Sequence, residues 1–129
     1  MYKDAEIAAR ARACVGVRFR PYGRDPAFGL DCVGLVAFAT GAPAPADYAL
    51  RSGKAATAAA ALRAAGLRPR GAGQASPGDI LLLASAPTQL HLAVRTEAGF
   101  VHADAGLRRV VECPGAPAMP LLGTWRSGD

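Results

Sequence analysis

The chain has 129 residues, of which 51% are hydrophobic and only 6% aromatic, and it carries a net charge of +5. That length reads as a single domain over residues 1–129, large enough to bury about two-thirds of its unfolded surface without disulfides or metal. Arginines spread from Arg10 to Arg126 without a dense run or an aromatic platform, which argues against nucleic acid as a partner, and no apolar run is long enough to insert in a membrane.

The elements follow in chain order. Residues 4–15 read as a helix, with Ile7, Ala8, Ala11, Cys14 and Val15 on one stripe and Asp4 as the expected N-cap. Residues 16–30 read as an ordered loop punctuated by Pro21, Gly23, Pro26 and Gly29. A second helix spans 32–40, capped by Asp31 and stopped by Gly41. After an Ala/Pro loop over 41–46, a third, alanine-rich helix spans 55–65 and stops at Gly66. The texture then changes to a turn at 76–79 and strands over 80–83, 90–95, 99–103, 108–112 and 121–126. Helices first and short adjacent strands second predict an α+β fold with an antiparallel sheet of about five strands. Leu, Val and Ile, with Phe19, Phe28, Phe38, Phe100 and Trp125, are the expected core. The N-terminus has no basic-then-apolar leader, so synthesis as a soluble cytoplasmic protein is expected.

Cys14, Cys32 and Cys113 are too widely and irregularly spaced for a disulfide framework or a zinc motif, so no metal or other cofactor is expected. Cys32 differs from the others in standing at a helix mouth, where the backbone N–H groups and helix dipole favour a thiolate. A buried structural cysteine is the competing reading, and it is the one given to Cys14 and Cys113. The two histidines, His91 and His102, lie in consecutive strands. With Glu97-Ala98 at the tip of a hairpin, Ala93 faces His102 and His91 faces Asp104, so both imidazoles fall on one sheet face as diagonal neighbours. Either histidine alone reads as one at a strand surface or one satisfied in the core, but a helix-capping cysteine followed by two same-face histidines suits a nucleophile, a general base and its orienter. Asp104 is a second candidate for orienting His91.

Taken together, Gly16-x-x-Phe19, the segment Gly23-Arg24-Asp25-Pro26 and Leu30-Asp31-Cys32-Val33-Gly34-Leu35 resemble the active-site helix of the NlpC-type cell-wall cysteine peptidases. Pro77-Gly78-Asp79-Ile80, His91-Leu92-Ala93-Val94 and Phe100-Val101-His102-Ala103 resemble that family's core strands. Leu122-Gly123-Thr124-Trp125-Arg126 resembles the closing strand of its branch found with phage tails and gene transfer agents. The resemblance implies a reduced papain-like fold and hydrolysis of peptidoglycan stem peptides, commonly between D-γ-glutamyl and a diamino acid. It implies Cys32 as nucleophile, His91 as base and His102 as orienter, with Phe19 and Arg24 in the substrate-binding loop. Phe19 stands where the family often has a tyrosine; Tyr22 is the nearest hydroxyl, and Asp31 is read as a helix cap first. Partners implied are stem peptides and phage-like tail proteins, with action at the cell wall after delivery by a phage-like particle. An amidase or acyltransferase on the same scaffold, or a structural tail component, are the alternatives.

Overall fold

The computed structural model describes residues 1–44, 50–70 and 75–127. Residues 45 and 46, the end of the expected 41–46 loop, lie outside them. Three helices are described in full: α1 (Asp4–Ala13), α2 (Cys32–Thr40) and α3 (Ala55–Ala64). Lys3, not Asp4, is the N-cap of α1. Asp4 already belongs to the helix, so its carboxylate cannot cap from outside; Oδ1 instead accepts the Ser127 hydroxyl at 3.2 Å. α2 is capped as expected, with Asp31 accepting from the Gly34 N–H and Gly41 in the left-handed region at φ 74°.

The expected loop over 16–30 contains a small ribbon of β1 (Arg24–Asp25) and β2 (Gly29–Leu30). The main sheet is antiparallel and six-stranded: β3 (Leu67–Pro69), β4 (Ile80–Ala86), β5 (Gln89–Arg95), β6 (Gly99–Asp104), β7 (Arg109–Pro114) and β8 (Leu121–Ser127). Its order is β3-β8-β4-β5-β6-β7. The strand beyond the five expected is β3, whose three residues carry no alternation and end on a proline, which is tolerated because β3 is an edge.

One sheet face, with Ile80, Leu82, Leu92, Val94, Val101, Val110 and Trp125, packs on Ile7, Leu35, Val36, Ala39 and Leu62 from the helices. The other face carries a smaller cluster of Leu81, Leu83, Ala93 and Phe100, against which Met119 and Cys113 pack. Burial on both faces is why Ile80-Leu81-Leu82-Leu83 reads as an unbroken apolar run. Three aromatics expected in the core behave otherwise, Phe19 being only partly buried against it. Phe28 is 65% exposed at the turn of the ribbon, and Phe38 is only partly buried, its ring stacked on the Arg10 guanidinium at 4.1 Å.

β5 and β6 pair through Val94↔Val101 and Arg95↔Phe100, the register expected from a Glu97-Ala98 tip. Beyond these two pairs no further ladder joins the strands, although β5 stays paired to β4 and β6 to β7 along their lengths. The parting of β5 from β6 faces the start of α2.

α2 reaches that position because Gly34 lets it touch the preceding loop. A Cβ at Gly34 would lie 1.9 Å from the Gly23 carbonyl oxygen, a backbone atom that cannot rotate away. Gly34→Ala is therefore expected to lower stability by about 1–3 kcal/mol through overpacking, read as a reduced urea midpoint with unchanged slope. An unchanged midpoint would show that the loop yields freely.

Candidate active site

Asp31 organises the loop around the cysteine. Its Oδ1 accepts from the Gly34 N–H and the Arg24 guanidinium, each at 2.8 Å, and its Oδ2 accepts from the Tyr22 N–H at 2.8 Å. Tyr22 sits at φ 62°, a left-handed conformation uncommon for a residue with a side chain, and the Arg51 guanidinium stacks 4.4 Å from its ring centre. One carboxylate thus fixes both the first turn of α2, where Cys32 lies, and the loop opposite it.

Across from Cys32, His91 Nε2 and His102 Nδ1 are 2.9 Å apart, with the rings edge to face at 86°. The contact between the two histidines, expected from strand parity, forms where the β5–β6 ladder stops. It occupies Nε2 of His91 and leaves Nδ1 as the ring nitrogen able to take a proton from elsewhere. Cys32, His91 and His102 line one pocket of about 500 Å³, shared with Phe19, Tyr22, Arg51 and Asp104.

The remaining expected residues divide. Tyr22, Phe19 and Asp31 line the pocket, whereas Arg24, expected in substrate binding, does not and turns its guanidinium to Asp31. Asp104 lines the pocket but spends Oδ1 on the Gly106 and Leu107 N–H groups at 2.8 and 3.1 Å. His102, not Asp104, is therefore the hydrogen-bond partner of His91. Arg51 was not singled out by sequence, and Cys113, read there as a buried structural cysteine, is instead half-buried beside the histidine pair. Cys113 Sγ lies 3.7 Å from His102 Nε2. Its signal was latent in the β6–β7 register, which pairs His102 with Val111 and Phe100 with Cys113 and so makes Cys113 a diagonal neighbour of His102.

No family model and no curated protein sequence matches this chain. Solved structures do. NlpC1 from Trichomonas vaginalis aligns over 99% of this chain and 45% of its own at TM-score 0.68 and 18% identity. The NlpC/p60 domain of the peptidoglycan hydrolase SagA aligns over 88% and 90% at TM-score 0.60 and 23% identity. The peptidoglycan hydrolase RipB from Mycobacterium tuberculosis aligns over 97% and 64% at TM-score 0.63 and 19% identity. The fold is that of the NlpC/p60 domain. The chain spans about half the length of the Trichomonas protein it matches.

Electrostatics at the site of this NlpC/p60 fold correct one expectation. The helix mouth was expected to favour a thiolate at Cys32. Burial outweighs it and pushes the Cys32 pKa up from 9.0 to about 11, with the Asp31 charge adding to the rise. Hydrogen bonding from the backbone of Leu92, Val33 and Cys32 itself pulls the other way without prevailing. The physical reason is the small size of the helix-end effect, about half a charge, against removal of an anion from water. His91 is held down to about 4 by burial and by His102, partly offset by the Asp104 charge. His102 is lowered by burial as well, again opposed by Asp104. At neutral pH the resting site is a neutral thiol facing a neutral imidazole pair.

The pH dependence of stability follows from these directions. An unfolded histidine takes a proton near 6.5 while native His91 refuses it until about 4, so stability is lost as pH falls through that window. An unfolded thiol ionises near 9 while native Cys32 keeps its proton to about 11, so stability is also lost as pH rises from 9 to 11. Urea midpoints are expected to plateau between these windows, and His91→Gln to flatten the acid limb. An acid limb as steep in His91→Gln as in wild type would rule His91 out as its source.

Proposed function

We propose that this protein is a cysteine peptidase that hydrolyses the peptide stems of bacterial peptidoglycan through a thioester intermediate. The observation that carries the reading is a cysteine at the N-terminus of α2 sharing a pocket with a His91–His102 pair in contact at 2.9 Å. The solved structures of similar fold include two described as peptidoglycan hydrolases or domains of one, which supports the substrate class. The sequence resemblance supports the D-γ-glutamyl–diamino acid bond as the one cleaved, and phage-like tail proteins as the means of delivery.

The chemistry begins from neutral partners. As Sγ of Cys32 attacks the amide carbon, His91 Nδ1 takes the thiol proton, so thiolate and imidazolium form together when substrate covers the pocket. His102 Nδ1 accepts from His91 Nε2–H and steadies the imidazolium, and the nearby Asp104 charge favours the same state. In this reading the backbone N–H of Cys32, at the helix start, receives the developing oxyanion, and the Tyr22 phenol, which lines the same pocket, is the candidate for a second donor. His91 then passes its proton to the leaving amine. Water, deprotonated by His91, cleaves the thioester, releasing the carboxylate and restoring the thiol.

Incubation with purified peptidoglycan followed by mass spectrometry of the released fragments tests the reading and names the bond. Cys32→Ala is expected to abolish release while leaving the melting curve intact. His91→Ala is expected to cost about 10²–10⁴-fold in kcat. His102→Ala is expected to cost less, and to lower kcat more than it raises KM, because the base remains but loses its orientation. Release by Cys32→Ala equal to wild type would dismiss the cysteine mechanism. Transfer products in place of hydrolysed ones would indicate an acyltransferase.

A further inference from the structure

Cys113 stands at the end of a line of polar atoms that starts in the pocket. His91 Nε2 meets His102 Nδ1 at 2.9 Å, and His102 Nε2 meets Cys113 Sγ at 3.7 Å, within the reach of a sulfur hydrogen bond. Each neutral imidazole carries one proton, and the line can be wired in only two directions. In the first, His91 Nε2–H donates to His102 Nδ1, and His102 Nε2–H donates to Cys113. In the second, Cys113 donates to His102 Nε2, His102 Nδ1–H donates to His91 Nε2, and the proton of His91 is forced onto Nδ1. Only the first leaves His91 Nδ1 bare and able to act as a base.

We propose that Cys113 is a positioning residue whose sulfur accepts the His102 Nε2–H and so holds both imidazoles in the tautomers that leave His91 Nδ1 unprotonated. His102 is 7% exposed, so bulk water does not readily replace that acceptor. Asp104, which shares the pocket, has Oδ1 engaged by the Gly106 and Leu107 amides. The sheet itself sets the approach. Cys113 is paired with Phe100, whose ring lies 5.2 Å from that of His102, and the diagonal across β6 and β7 brings the sulfur to the far nitrogen. Sulfur is a weak acceptor, so the effect biases a tautomer and is not expected to be absolute.

The kinetic arm of the test rests on the peptidase reading; the spectroscopic arm does not. Long-range ¹H–¹⁵N spectra of ¹⁵N-histidine-labelled protein at neutral pH report which nitrogen of each ring is protonated. Wild type is expected to show the Nε2–H form at both His91 and His102. Cys113→Ala is expected to populate the Nδ1–H forms and to lose about fivefold in kcat on defined muropeptides with KM unchanged, the size of one net hydrogen bond. Cys113→Ser, which keeps an acceptor, is expected to restore both the tautomers and most of the rate. Wild-type tautomers in Cys113→Ala overturn the proposal, as does an Nδ1–H form at His91 in the wild type. Should wild type release no fragments at all, the peptidase reading fails and the spectra alone decide the role of Cys113.

Discussion

The placement of Cys32 depends on one carboxylate. Asp31 holds the first turn of α2 through the Gly34 N–H, the loop opposite through the Tyr22 N–H, and the ribbon through Arg24, all at 2.8 Å. A cap alone is worth about 1 kcal/mol. Here the same group also stabilises a left-handed Tyr22 and gives the pocket one of its walls. The neighbouring Gly34 belongs to the same arrangement, since the close backbone approach of α2 to Gly23 leaves no room for a side chain.

The second constraint is a ladder that stops. β5 and β6 are joined near their turn and then separate, and side chains of His91 and His102 meet where backbone bonds end. The turn is well tied. Arg95 donates to the Thr96 and Gly99 carbonyls at 2.7 and 2.6 Å, and the buried Thr96 hydroxyl donates to Glu112 at 2.7 Å. A rigid tip with parted strands gives the pocket depth while keeping the two imidazoles in register.

Much of this was legible in the residues. Periodicity and capping located α2 to the residue at both ends, because Asp31 and Gly41 are local signals that tertiary packing did not override. The alternation of sides along a hairpin placed His91 and His102 on one face before any coordinates, since a period of two leaves no intermediate choice. Other features were not legible for physical reasons. β3 is recruited by its neighbour β8 and not by its own pattern. Phe28 is exposed because the ribbon turn it occupies points outward. The ionisation of Cys32 depended on how much water the folded pocket admits, which no spacing encodes. Cys113 acquires its neighbour only through the β6–β7 register, which depends on a turn whose geometry, with Arg108 at φ 62°, is unusual for its sequence.

The raised pKa of Cys32 has a consequence beyond the proposed chemistry. Peroxide and similar oxidants attack thiolates far faster than thiols. A thiol whose proton is retained to about pH 11 therefore presents little to them. Under the proposed mechanism, in which the thiolate forms only beneath bound substrate, the site is sheltered from oxidative ageing while it waits, without calling on a disulfide or a reductant to protect it.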